Sequence, residues 1–477
     1  FRWRDVFNSC LRSLPLLLFF SLLIADPIDL ENLLNYRNDS NIPDYIIGEN
    51  TPANNAINDA EATLGRVLFY DKKLSVNGST ACASCHHQEF AFGDTSVVSV
   101  GFDGRLTDRH SMRLVNLRFD GGQALFWNRR TPTLEQQTSL PIRDHKEMGF
   151  SGLDGQPGFD SLVTRLENLD YYQQLFSYFY GDTRVTERRI KNALAQFIRS
   201  IHSYDSKYDI GLAQVQHSGQ SFPNFTEQEN MGKNVFAAPP NGGIGGIGAG
   251  CERCHTQPKF DINRNVGNNN IITVAGDSTQ IDLQNRRAPT LRDLVNPQGA
   301  MNGPFMHNGS LKNLQEVVEH YNLISFDPAR NPLLDNRLKP NSTGQDLQMS
   351  DERKAALIAF LKTLTGEELY THPKWSDPFN ADGSIEIIPM LNTATQQKTA
   401  DLVWSVYPNP IRSAAQIIAP EGNYTLQIFN TNGQLLQSQV VQNKSTFTIK
   451  NQPNGTYYLQ LIDNKNARTK AIQIVKI

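Results

Sequence analysis

The chain has 477 residues, 45 lysines and arginines against 48 aspartates and glutamates, a formal net charge of −3 and 39% hydrophobic residues. So slight an acidic balance argues against a nucleic-acid partner. The apolar content can supply two or three cores but no membrane domain.

At the amino end Arg2, Arg4 and Arg12 precede the uncharged run "LPLLLFFSLLIA" (Leu14 to Ala25), and polar sequence follows. Basic, then apolar, then polar is the order of a secretory signal, and this run is too short to span a bilayer. We therefore expect residues 1–25 to be a signal peptide, Cys10 to be removed with it, and the mature chain to be exported without a transmembrane domain.

The next segment, 26–220, contains "ACASCHHQEF", in which Cys82 and Cys85 are followed directly by His86. The pattern recurs in 221–375 as "CERCHTQPKF", with Cys251, Cys254 and His255. A zinc site would need four ligands closing into one tetrahedron, usually from cysteine pairs much closer in sequence. A thioredoxin-like dithiol needs no following histidine and usually has a βαβ setting. Both are weaker readings than covalent c-type haem, in which two thiols add to the porphyrin vinyls and the adjacent histidine becomes the proximal iron ligand. Two covalently bound haem c groups are expected, on Cys82/Cys85 with His86 and on Cys251/Cys254 with His255.

The two segments also read as a repeat. "LGRVLFY" sets Gly65 and Phe69 ahead of the first cysteine pair, "MGKNVFA" sets Gly232 and Phe236 ahead of the second, and Phe90 and Phe260 follow the histidines. Apolar stripes predict helices through Ile190, Leu194, Phe197 and Ile201, and through Leu357, Phe360, Leu361 and Leu364. "PPNGGIGGIGAG" (Pro239 to Gly250) lacks a Gly-Lys-Ser/Thr ending, so it is a loop into the second motif and not a phosphate cradle. Residues 376–403 read as a linker. From 404 to 477 short alternating runs appear, with Tyr424, Leu426 and Ile428 on one face, turns at Asn432-Gly433 and Asn454-Gly455, and Tyr457, Leu459 and Leu461 beyond. The expected fold is mainly α, two cytochrome c-like haem domains followed by a small all-β sandwich.

The stretch from Arg109 to Gly149, together with "LSVNGSTACASCH", "RRAPTLRDL" and "GPFMHNGSLKNLQEVVEHY", resembles the bacterial di-haem cytochrome c peroxidase family, including relatives that mature a tryptophan-derived quinone in methylamine dehydrogenase. The likeness runs from about residue 45 to 370. It implies reduction of hydrogen peroxide to water at the first haem, with a small cytochrome c or cupredoxin feeding electrons to the second. By the same likeness Glu147 and Gln137 overhang the first haem, Trp127 lies between the two, and a calcium ion is held by Asn116, Asn302 and Pro304. A carboxylate there suits the chemistry, because cleaving O–O requires a proton to move from one oxygen to the other. On the residues alone Glu147 also reads as half of a buried ion pair, and Trp127 as an interface aromatic. Oxidation of a protein substrate and plain electron transfer remain the alternative functions.

Departures from the family pattern concern the distal iron ligands. Sixteen positions past His86, where many members have a blocking histidine, stands Phe102, which has no lone pair; His110 is the nearest substitute. In the second segment the position of the usual methionine is Tyr321, with Met306 as the rival ligand. Finally, "VYPNP", "YTLQIFNTNGQLL" and "PNGTYYLQL" resemble the carboxy-terminal sorting domain of type IX secretion cargo, which implies passage through the periplasm to the surface or exterior by that machinery. A generic Ig-like adhesion module is the alternative.

Overall fold

Asn58 accepts a hydrogen bond from Glu61 N–H, with Asp59 and Glu61 in the first turn, and so starts helix α1, Asp59–Tyr70. In the computed structural model, residues 27–37, 41–121, 124–240, 248–262, 265–388, 404–419, 422–430, 434–442, 444–449, 452–463 and 469–476 are described. The signal segment with Cys10, the centre of the glycine-rich loop, the 389–403 part of the linker segment and the Asn432-Gly433 turn lie outside them.

The chain divides into two units, 1–390 and 391–477. Within the first, α1 packs on α3, Glu187–Ser200, and the short helix α2, Leu134–Gln137, lies between them in sequence. The second half repeats the pair with α4, Glu227–Ala237, and α6, Asp351–Lys362, with α5, Leu314–Asn322, between them. Each pair crosses closely at a glycine. A Cβ on Gly65 would collide with the Ala193 carbonyl, and one on Gly232 with the Ala356 carbonyl. Phe69 and Phe197 meet at 5.2 Å in one crossing, Phe236 and Phe360 at 5.3 Å in the other. The predicted stripes are buried in two separate cores, Ile190, Leu194, Phe197 and Ile201 in one, Leu357, Phe360, Leu361 and Leu364 in the other.

One part of the repeat differs from the sequence expectation. The partner of Phe260 is Phe92, not Phe90. Phe92 and Phe260 are both fully buried, both have φ of 57°, and the N–H of each donates at 2.8 Å to the carbonyl of the residue after the histidine. Phe90 is half-buried against His87. A longer turn after His86 displaces the equivalent position, which spacing alone hides.

The described ends of the first unit meet in a short parallel pair, β1, Ile28–Asp29, beside β2, Ile387–Ile388. The second unit, taken by itself, has a four-stranded antiparallel sheet built from β5 (Asn423–Phe429), β6 (Leu435–Gln442), β8 (Gly455–Asp463) and β9 (Thr469–Lys476), ordered β6-β5-β8-β9. A three-stranded sheet, β7 (Thr446–Thr448), β4 (Ala414–Ile418) and β3 (Ser405–Tyr407), shares its core. Leu426 pairs with Leu461 and Ile428 with Leu459, so the alternation puts these four side chains inside.

Candidate active site: two cavities with a shared wall

Each Cys-x-x-Cys-His motif borders a large cavity in the first unit. The first encloses about 1470 Å³ including its open mouth and is lined by Cys82, Cys85 and His86 together with Phe69 and Leu194 of the helix pair. The second, about 1570 Å³, is lined by Cys251, Cys254 and His255 with Phe236, Leu357 and Leu361. The internal repeat thus produces two like cavities, each with two thiols and an imidazole at its rim.

The four thiols are free, and burial pushes Cys82 and Cys251 up to about 12 and Cys85 to about 11. A redox dithiol needs the opposite shift. Among the described residues no three His, Cys, Asp or Glu side chains come together as a metal cluster. His86 Nδ1 lies 3.0 Å from the Phe92 carbonyl, so Nδ1 carries the proton and Nε2 keeps its lone pair. Burial lowers the pKa of His86 and takes His255 to about 4, leaving both rings neutral as iron ligation requires. The residues present fit a thioether-linked haem in each cavity.

Glu147 and Gln137 both line the first cavity, Gln137 at the end of α2. Glu147 has no ion-pair partner among the described residues. Burial, with a smaller push from Asp144, raises its carboxyl to about 7. Arg130 attracts it from beyond ion-pair distance, and that pull is what remains of the ion-pair alternative. Phe102 does not line the cavity. Its N–H donates to the Glu147 carbonyl at 3.0 Å and its ring lies against Gly149.

Trp127 lines both cavities, as do His110 and Arg113. Its indole N–H donates to the His110 carbonyl at 2.7 Å, and the His110 N–H donates to the His307 carbonyl at 2.8 Å. The Trp127 and His307 rings meet edge to face at 6.2 Å. His110 Nδ1 bonds the Ser96 carbonyl at 2.9 Å, which occupies one of its two nitrogens.

In the second cavity Tyr321 and Met306 converge. The Asn269 amide donates to the Tyr321 hydroxyl at 3.0 Å and lies 3.1 Å from the Met306 sulfur. Both candidates for the distal position thus reach the same space, and burial raises the tyrosine pKa. Sequence reasoning missed Asn269, which has only its place in an asparagine run to mark it, and Arg113.

The calcium candidates Asn116, Asn302 and Pro304 differ in what their polar atoms already bind. Asn116 spends its side chain on the Ser203 backbone, accepting from its N–H at 2.9 Å and donating to its carbonyl at 3.3 Å. Asn302 donates to the Asp293 carbonyl and the Tyr370 hydroxyl, while Pro304 lines the second cavity. The Oδ1 of Asn302, the atom able to meet a cation, is buried and has no hydrogen-bond partner among the described residues.

Comparison with known proteins agrees with this geometry. The family described as "Di-haem cytochrome c peroxidase" matches residues 59–217, and "Secretion system C-terminal sorting domain" matches residues 405–476. The methylamine utilization protein MauG of Methylorubrum extorquens is 30% identical over 66% of this chain and 81% of its own length, and that of Methylophilus methylotrophus is 29% identical over 67% and 86%. The cytochrome c551 peroxidase of Nitrosomonas europaea is 25% identical over 64% and 80%. A crystal structure of a MauG-like protein associated with microbial copper homeostasis superposes with a TM-score of 0.56 at 28% identity, covering 71% of this chain and 98% of that one. With a cysteine pair and neutral histidine at each of two cavities, and these relatives spanning most of their length, the chain belongs to the di-haem cytochrome c peroxidase family and ends in a type IX secretion sorting domain.

Proposed function

We propose that the protein is an exported cytochrome c peroxidase, taking one hydrogen peroxide, two protons and two electrons from a small cytochrome or cupredoxin to two waters. The observation that carries this is the Glu147 carboxyl in the wall of the first cavity, poised at about 7 with no ion-pair partner among the described residues. When bound, the two c-type haems supply the redox chemistry, the first toward peroxide and the second toward the donor. Glu147 accepts a proton from one peroxide oxygen and returns it to the other, a transfer its pKa suits near neutral pH. Gln137, uncharged in the same wall, orients the peroxide without altering the charge of the cavity. Trp127 bridges the two cavities and shortens the electron path.

Under this reading His86 and His255 would ligate the two irons, Tyr321 or Met306 would supply a further ligand in the second cavity, and the four cysteines would be the attachment points. Domains 26–220 and 221–375 each carry one haem. The sorting domain directs the chain through the periplasm to the cell surface or exterior. A second reading, extraction of electrons from a protein substrate, is favoured by Tyr321 and by the identity to the methylamine utilization proteins.

The test is Glu147→Gln. With reduced cytochrome c and peroxide, turnover should fall by roughly 10²–10⁴-fold while both haem spectra persist. Turnover within about threefold of the parent would make Glu147 structural. Peroxide-dependent oxidation of a protein partner, with negligible cytochrome oxidation, would favour the second reading.

A further inference from the structure

A further cavity lies behind the first, across helix α2, and encloses about 1040 Å³ including its open mouth. The four residues of α2 divide the two spaces. Gln137 lines the first cavity, Glu135 and Gln136 line this one, and Leu134 lines both. Leu117 and Leu125 also line both, so the partition here is one leucine side chain thick.

The rest of the lining is polar and carries a net positive charge. Arg199, its side chain 2% exposed, donates to both carboxylate oxygens of Glu135, and this pair is neutral. Arg188 and Lys191 are the cations that remain. Lys191 pairs with Glu187 at a long 3.6 Å, and Glu187 is already bound by Arg143 at 2.8 Å. Arg188, at the exposed rim, makes no ion pair among the described residues. Both cations stand in the first two turns of α3, at the positive end of its dipole, which adds to their field. The side-chain amides of Gln136 and Asn192 make no hydrogen bond among the described residues, where only their backbone groups are engaged.

An apolar wall faced by a few cations and unengaged amides suits a small amphipathic anion. Arg188 and Lys191 match a carboxylate, and the three leucines match a flat ring. Such a ring lies one side chain from the first cavity, and a hydroxylated aromatic ring can give up a single electron with its phenolic proton. We propose that this pocket binds small hydroxylated aromatic carboxylates and presents them as electron donors to the first cavity, without use of the second. This rests on the reading of the first cavity as the place where peroxide is reduced. Two donor molecules each lose one electron and one proton, and one hydrogen peroxide takes up both pairs to give two waters and two aroxyl radicals. The phenolic protons pass to water at the open mouth, and the peroxide draws its two from the same solvent.

The holoprotein is titrated with trans-cinnamate, which has the ring and the carboxylate but no phenol to oxidise, and binding is read by saturation-transfer difference NMR. The parent should bind it, and the double variant Arg188→Glu, Lys191→Gln should bind it roughly tenfold more weakly or worse, as loss of charge-assisted contacts implies. Cinnamyl alcohol, which lacks the charge, should not distinguish the two proteins. With ferulate and peroxide the parent should turn over, and the variant should show a KM raised by the same factor at unchanged kcat, with turnover of reduced cytochrome c at the parent level. No cinnamate binding to the parent, equal binding to the variant, or an unmoved KM for ferulate overturns the proposal. So does ferulate left unoxidised by a protein that oxidises cytochrome c. Failure of the parent with both donors refutes peroxide reduction at the first cavity instead, and cinnamate binding then judges the pocket by itself.

Discussion

At the scale of single residues, the unpaired carboxyl of Glu147 has consequences that pH can read. Its pKa is raised by burial from the ordinary 4.5 to about 7, and the form that accepts a proton is the carboxylate. Peroxide turnover should therefore rise with pH through about 7, a limb that Glu147→Gln should abolish. Stability runs the other way. A carboxyl whose folded pKa is raised favours folding fully below its unfolded value, and that contribution is lost as pH climbs from about 4.5 through about 7. The residue scale also holds the choice between Tyr321 and Met306, which share the Asn269 amide. Tyr321→Phe should turn the low-spin ferric signal of the second haem high-spin, with Met306→Leu leaving it low-spin; the reverse pattern would assign the sulfur as ligand. An oxygen ligand stabilises ferric iron relative to a thioether, so the two outcomes also predict different potentials.

Among the elements, the paired helix crossings are the most tightly specified feature. Gly65→Ala places a methyl on the Ala193 carbonyl, and Gly232→Ala does so on Ala356, each inside a packed crossing that cannot open without moving an aromatic pair. Each should cost about 1–3 kcal/mol of the first unit's stability, measured by chemical unfolding of the holoprotein. Loss of haem from one cavity alone in either variant would tie that crossing to the haem beside it. The repeat behind these crossings was legible in the sequence because the same glycine–phenylalanine spacing precedes each cysteine pair, but that the glycines are crossing points was not. The helix stripes and the β alternation were legible for the same reason, since burial on one face leaves a period. The Phe92 equivalence was not, because one turn is longer than its counterpart.

At the level of the whole molecule, the β unit holds no cysteine or histidine and has a core of its own. A chain lacking residues 404–477 should retain two haems and peroxidase turnover in vitro yet stay behind the outer membrane, as fractionation of expressing cells would show. Normal delivery of the truncated chain would refute a sorting role. The parallel pair of β1 and β2 bears on a different property. It sets Ile28 beside Ile387 and Asp29 beside Ile388, one strand spacing apart, about 4.8 Å, so the described backbone of the first unit enters and leaves at one edge. A circular permutant that joins residue 388 to residue 28 through a few glycines would preserve every pairing inside the unit. Such a permutant, which reverses the order in which the two helix pairs leave the ribosome, should bind the same two haems as the parent, as their optical spectra would show.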